Sequence, residues 1–111
     1  MTSDRLQTRL MIDGVTSQLS QKGIFFYIPK TGDPHSGQIL VHVNDGQGKN
    51  ILWEEGRDLE GTLIWRKKHD QDFLDDVEAS KKISSSTSFD EDMWVLEIED
   101  KNLQNPFDKL S

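Results

Sequence analysis

The sequence predicts an α+β fold in which a mainly antiparallel five-stranded sheet and two helices form a two-layer sandwich, in the order α-β-β-β-β-α-β. Apolar residues recur at helical spacing in two segments and alternate with polar residues in five short ones. Glycine, proline and aspartate residues that favour turns separate these segments. Because a sheet with one apolar face needs a cover, both helices are expected to pack on that face.

The first helix is predicted over about residues 4–22. Leu6, Leu10 and Leu19 fall on one side of it, and Gly23 supplies the left-handed residue that commonly ends a helix. Four strands follow and are expected to form an antiparallel meander, because short turns join them. These strands are predicted over residues 24–28, 38–44, 50–55 and 62–68.

The second helix is predicted to begin near Asp70 or Asp72, with Lys81 and Lys82 near its carboxyl end, where basic residues complement the helix dipole. Its predicted apolar stripe consists of Phe73, Leu74 and Val77. The run of serine and threonine at residues 84–88 is predicted to be a loop.

The last strand is predicted over residues 93–99, and both of its faces carry apolar side chains. Such a pattern indicates either a central place in the sheet or an interface. Residues 1–111 are expected to form a single domain, in which residues 102–111 are a flexible tail.

Composition excludes several classes of protein. The longest uninterrupted apolar run, at residues 24–28, is far shorter than the roughly 18 residues that cross a bilayer, and the polar first residues lead us to expect no secretory signal. The absence of cysteine excludes disulfides and thiolate metal sites. An acidic cytoplasmic protein that binds no membrane is therefore expected.

Charge is unevenly distributed along the chain. Residues 1–68 hold eight acidic and nine basic side chains, whereas residues 69–111 hold twelve acidic and four basic ones. The basic cluster at residues 66–69 is too small to bind a phosphate backbone well, because such binding depends on many cations acting together. Nucleic acid is therefore disfavoured as a partner.

The chemical groups that could form a site are few. The glycines at residues 46–48 lack the spacing of a phosphate loop, and they fit a hairpin turn instead. Among the three histidines, His35 lies two residues from Asp33, which could orient its imidazole for acid–base or metal chemistry, or else simply begin a turn. No catalytic residue, cofactor or metal ligand is predicted.

Two segments carry a family resemblance. Residues 32–44, GDPHSGQILVHVN, join a Gly-Asp turn to an apolar strand, and residues 89–100, FDEDMWVLEIED, join an aromatic-acidic start to a strand with acidic residues at its end. Both resemble the alphaproteobacterial domain-of-unknown-function family 1491, although Glu91 replaces a usual proline and residues 66–88 match little. The resemblance implies a bacterial, cytoplasmic, single-domain protein, and it transfers no catalytic residue. The matching positions are Asp33, Gly37, Phe89, Asp90, Asp92, Trp94, Glu97 and Glu99.

Two functions remain open. The first is a non-enzymatic interaction module, which pairs a sheet edge with an unknown protein or forms a homodimer. The alternative is a small metal-dependent or acid–base hydrolase in which His35 is the base and Asp33, Asp92 and Glu97 orient it or bind the metal. The residues predicted to form a functional surface are Asp33, His35, Asp90, Asp92, Trp94, Glu97 and Glu99.

Overall fold

The computed structural model describes residues 6–110. The helices are α1 (Thr8–Gln21) and α2 (Asp76–Phe89), and a 3-10 helix spans Pro106–Leu110. The strands are β1 (Phe26–Lys30), β2 (Ile39–Asn44), β3 (Asn50–Arg57), β4 (Leu63–Lys67) and β5 (Trp94–Glu99). The predicted beginning of the first helix, at residues 4 and 5, lies outside the described residues.

The strands form one sheet in the order β1-β5-β2-β3-β4, in which β2 and β5 are parallel and the other neighbours are antiparallel. This confirms the predicted α+β class, element order and mainly antiparallel sheet. The predicted four-stranded meander is wrong for β1, because β5 lies between β1 and β2. Strand β5 thus has the central place that its two apolar faces indicate.

The two helices pack on opposite faces of the sheet. Helix α1 buries Ile12 and Leu19 on one face, and α2 packs through Ala79 and Ile83 on the other. The expectation that both helices cover one face is therefore corrected. Its physical reason is that β2 and β5 direct apolar side chains to both faces, so each face needs its own cover.

Helix α1 ends in a Schellman motif around Gly23. Gly23 has a φ of 72°, and its backbone N–H donates to the Ser20 carbonyl at 3.1 Å. The N–H of Ile24 donates to the Leu19 carbonyl at 2.9 Å. These two bonds satisfy carbonyls that would otherwise lack partners, so the glycine ends the helix as predicted.

Helix α2 begins later than predicted. Its N-cap is Asp75, whose carboxylate accepts a hydrogen bond from the Glu78 backbone at 2.7 Å, while the Glu78 carboxylate accepts one from the Asp75 backbone at 3.1 Å. This reciprocal capping box starts the helix at Asp76 rather than near residue 70 or 72. Val77 is consequently 63% exposed and forms no part of an apolar stripe.

Helix α2 also ends later than predicted, since residues 84–88 are helical rather than a loop. Ile83 packs against the core from the turn before these residues. The hydroxyl of Thr87 donates to the Ile83 carbonyl at 3.0 Å, so it bonds within the helix instead of competing with it. Lys81 and Lys82 therefore lie in the middle of the helix.

The three tryptophans surround one core. Trp94 is buried, and Trp53 and Trp65 pack half-buried against the same cluster. The chain after β5 joins this cluster, because Phe107 is buried and stacks on Trp65 with ring centroids 4.9 Å apart. All three rings thus contribute mainly to packing.

The loop between β1 and β2 closes onto the residues before β5. The Asp33 N–H donates to the Asp92 carbonyl at 3.0 Å, and the Trp94 Nε1 donates to the Asp33 carbonyl at 2.8 Å. Gly32 and Gly37 lie so near the Asp92 carbonyl that a Cβ atom on either residue would overlap it. Space, rather than backbone conformation, requires glycine at these two positions.

His69 is a buried residue with a structural role. Its Nε2 accepts a hydrogen bond from the Leu52 N–H at 3.2 Å, and its Nδ1 donates to the Gln71 carbonyl at 3.0 Å. Burial lowers the pKa of His69 below its ordinary value, and the charges of Lys67 and Lys82 act in the same direction. Protonation of Nε2 removes the acceptor of the Leu52 N–H.

Acidification is expected to destabilise the protein through His69. Because its pKa is lower in the folded chain than in the unfolded chain, where it is about 6.5, the unfolded state takes up the proton first as pH falls. The stabilising contribution is complete above about pH 6.5 and is lost as pH falls from there through the folded pKa. Urea unfolding at high and low pH measures the free energy of unfolding. On acidification this free energy should decrease less in His69→Gln than in the wild type, and equal decreases would contradict this role.

Candidate functional site

One row of cross-strand neighbours carries polar side chains on the α2 face of the sheet. The register places Tyr27 of β1 opposite Glu97 of β5, Glu97 beside His42 of β2, and His42 opposite Leu52 of β3. Side chains at such positions share one face and lie about 5 Å apart. Strand pairing therefore brings a phenol, a carboxylate and an imidazole together.

His42 is held between two partners. Its Nε2 lies 2.7 Å from the Asn50 Oδ1, and its Nδ1 lies 3.4 Å from the Glu97 Oε1. The Asn50 Nδ2 donates to the Leu74 carbonyl at 3.2 Å and to the Asp76 Oδ1 at 2.8 Å, which turns its Oδ1 toward the ring. Because that carbonyl oxygen only accepts, Nε2 carries a proton and Nδ1 is the nitrogen that faces Glu97.

Glu97 is the second ionisable side chain of the row with partners in the protein. Its Oε2 accepts a hydrogen bond from the Asn44 Nδ2 at 3.2 Å. Hydrogen bonding to Glu97 and the negative charge of its carboxylate raise the pKa of Tyr27, which lies opposite it on β1. The side chains of His42 and Glu97 are 13% and 22% exposed, so solvent reaches both but only in part.

A cleft of about 500 Å³ lies over this row, and we call it the His42 cleft. Its volume is within the range of about 300–1,000 Å³ that is common for small-molecule pockets. Its lining residues are Tyr27, Pro29, His42, Asn44, Gly46, Gly48, Asn50, Asp76, Ser80, Ile83, Ser84, Val95 and Glu97. The cleft thus brings an imidazole, carboxylates, amides and hydroxyl groups together in one concave site.

Five of the seven residues predicted to form a functional surface lie in or beside the loops that precede β2 and β5. They are Asp33, His35, Asp90, Asp92 and Trp94. The Asp33 Oδ2 accepts from the Ser36 N–H at 2.8 Å and from its hydroxyl at 2.9 Å, and these bonds lower the pKa of Asp33. His35 is exposed, and its carbonyl accepts from the Thr8 N–H at 3.2 Å. This region is held mainly by turn and backbone hydrogen bonds.

The remaining two predicted residues, Glu97 and Glu99, lie farther along β5. Asp90 and Asp92 stay in the turn before this strand, where the Asp90 Oδ1 accepts from the Asp92 N–H at 3.0 Å. Glu97 lies three residues beyond Trp94 along β5, about 10 Å away and on the opposite face. Glu99 is exposed and lies beside Gly46. Of the seven residues, only Glu97 lines the His42 cleft.

Sequence reasoning did not single out His42, Tyr27, Asn50 or Asp76 as functional residues. A signal was present in the alternation of the strands, because His42 shares a face of β2 with Leu40. The sequence does not show which strand lies beside β2, and the partner of His42 follows only from that pairing.

Two further properties concern metals and membranes. Across residues 6–110, no three His, Asp or Glu side chains converge in a way that could hold a metal ion. In the same part of the chain, no helix combines the length and apolar character that crossing a membrane requires.

Comparison with known proteins identifies the family. The sequence profile of a family described as "Protein of unknown function (DUF1491)" matches residues 6–108. The chain belongs to the DUF1491 family. The resemblance carried by residues 32–44 and 89–100 is thereby confirmed. No curated protein matches the sequence.

Solved structures share the fold of this DUF1491 protein. The crystal structure of a DUF1491 family protein from Caulobacter crescentus CB15 is 23% identical, with a TM-score of 0.79 over 87% of this chain and 90% of that chain. An NMR structure of a DUF1491 family protein from the same organism is 22% identical, with a TM-score of 0.78 over 91% of each chain. The solution structure of Atu0922 from A. tumefaciens is 19% identical, with a TM-score of 0.72 over 86% of each chain. At these identities the likeness shows the fold alone.

Proposed function

We propose that this DUF1491 protein binds a small polar molecule in the His42 cleft. The observation that carries the proposal is the continuous chain of polar contacts from Asn44 through Glu97, His42 and Asn50 to Asp76. Desolvating such groups costs free energy that apolar side chains at the same positions would not require. A satisfied polar network in a cleft of ligand size is typical of a binding site.

The network is ordered before a ligand arrives. Asn50 is 2% exposed, and its bonds to Leu74, Asp76 and His42 hold its amide in one orientation. Preorganised groups reduce the conformational entropy that binding would otherwise cost. The hydrolase alternative built on Asp33 and His35 receives no support of this kind.

A screen of small polar metabolites by NMR of the isotope-labelled protein tests the proposal. We expect at least one compound to shift the amide signals of Tyr27, His42 and Glu97, and Glu97→Gln to weaken its binding at least tenfold. Glu99→Gln is a matched control, because it makes the same change on the same strand face at an exposed residue outside the cleft lining. Compounds that shift no cleft residue, or that bind both variants equally, would contradict the proposal.

A second candidate function is self-association through β4, and a specific pair of observations favours it. Strand β4 is an edge strand, and a groove of about 570 Å³ beside it is lined by apolar residues that include Leu10, which is 55% exposed. The opposite edge, β1, contains Pro29 and an irregular register, both of which hinder pairing with another strand.

Charge permits a second copy to occupy this edge. If two β4 strands pair antiparallel about Trp65, Leu63 of one copy faces Lys67 of the other, and Ile64 faces Arg66. In this register no two like charges lie directly opposite each other. Opposed like charges would destabilise the pair of strands. The apolar grooves of the two copies meet along the same line.

Light scattering tests self-association. We expect a mass twice the 12.8 kDa of one chain and, for Leu10→Lys, the mass of a single chain. Leu59→Lys is the control, because Leu59 is fully exposed in the loop between β3 and β4. A wild-type protein that stays monomeric at millimolar concentration rules out this function.

A further inference from the structure

We infer that the ligand of the His42 cleft is an organic ammonium ion with an apolar body. The inference rests on the binding function proposed above and adds the chemical class of the molecule bound. It follows from three properties of the cleft. These are its charge, its apolar wall and the fact that both nitrogens of its imidazole already face partners within the protein.

The cleft carries an excess of negative charge. Glu97 lies on the sheet and Asp76 on α2, so carboxylates approach the cleft from two elements. Among the described residues that line it, none is lysine or arginine, and a protonated His42 offsets one of the two carboxylates at most. A partly desolvated site of this charge favours a cation and repels an anion.

The same cleft has an apolar wall. Pro29, Ile83 and Val95 line it together with the ring of Tyr27. Apolar contact with these side chains suits the hydrocarbon part of a ligand, while the face of a tyrosine ring attracts an ammonium group. Ser80 and Ser84, one turn apart on α2, add hydroxyl oxygens that can accept its N–H hydrogens.

The imidazole does not provide an anion site. Both ring nitrogens of His42 already face partners, Asn50 on one side and Glu97 on the other, and the side chain is only 13% exposed. A carboxylate ligand would have to displace one of these partners and lie near two carboxylates. An uncharged ligand would not compensate the net negative charge of the cleft.

Three probes of nearly equal size separate these cases, namely phenethylamine (cationic), 2-phenylethanol (neutral) and phenylacetate (anionic). NMR titration of the full chain is expected to shift the amides of Tyr27, His42 and Val95 with phenethylamine, at an affinity at least tenfold above that of the other two. Glu97→Gln should weaken the binding of phenethylamine at least tenfold and leave the binding of 2-phenylethanol unchanged. Glu99→Gln should change the affinity for neither compound. A purely structural role of Glu97 would not discriminate between the probes.

The outcomes distinguish the inference from the function on which it rests. If 2-phenylethanol or phenylacetate binds in the cleft as tightly as phenethylamine, the ammonium inference is overturned and the binding function stands. Equal affinity of phenethylamine for the wild type and Glu97→Gln also overturns the inference. If neither these probes nor any compound of the metabolite screen shifts the cleft residues, both the inference and the proposed function fail.

Discussion

Replacing Gly32 with alanine is expected to lower the free energy of unfolding by about 3 kcal/mol, a large effect for one methyl group. The new Cβ would overlap the backbone carbonyl of Asp92 and crowd the backbone of Met93. These atoms lead directly into β5, which is paired on both sides and therefore cannot shift without disturbing β1 and β2. Urea unfolding followed by circular dichroism measures the change.

Gly14→Ala is the matched control for this substitution. Gly14 lies within α1, and a Cβ there meets nothing within 4 Å. Alanine has the higher helix propensity, so this variant should gain up to about 1 kcal/mol. If the two alanine variants shifted stability in the same direction and by similar amounts, crowding at Asp92 would be excluded as the cause.

Replacing Asn50 with alanine is expected to destabilise the protein by about 2–4 kcal/mol and to disorder the His42 cleft. Alanine at this position removes the acceptor for the His42 Nε2 hydrogen and the donor to Asp76. Because Asn50 is buried, water cannot easily take the place of these two hydrogen-bonding groups. Urea unfolding gives the stability, and the ring nitrogen signals of His42 should show loss of the single tautomer that Asn50 imposes.

Asn102→Ala controls for the chemical change itself. Asn102 is exposed, and the hydrogen bond that it donates to Asp100 at 3.0 Å comes from its backbone, which alanine retains. Its stability should stay within about 0.5 kcal/mol of the wild type. An Asn50→Ala protein as stable as this control, with an unchanged His42 tautomer, would show that the network is dispensable.

Local features of the chain predict much of the architecture. The alternation of apolar residues locates five strands, and Gly23 locates the end of α1 because a left-handed residue is needed there. The first and last residues of α2 are harder to predict from local sequence. They depend on a capping box at Asp75 and on how Ile83 packs against a core formed by distant residues. Serine and threonine favour loops only until such packing outweighs their propensity.

The candidate site could not be predicted in the same way. His42 and Glu97 are far apart in the chain, and only the parallel pairing of β2 with β5 makes them neighbours. A hairpin reveals its register through its turn, whereas a parallel pair connected through other elements gives no such local signal. The proximity of Asp33 and His35 along the chain was the weaker guide, because the Asp33 carboxylate binds Ser36 in its own turn.

The place of β5 also determines the order in which the sheet can assemble. It is the last of the five described strands in sequence, yet it lies between β1 and β2. Until it inserts, β1 has no strand to pair with, and one edge of β2 stays open to any extended segment nearby. Such late, long-range closure slows folding and exposes the chain to strand exchange between molecules, so refolding at high concentration should favour swapped or aggregated species.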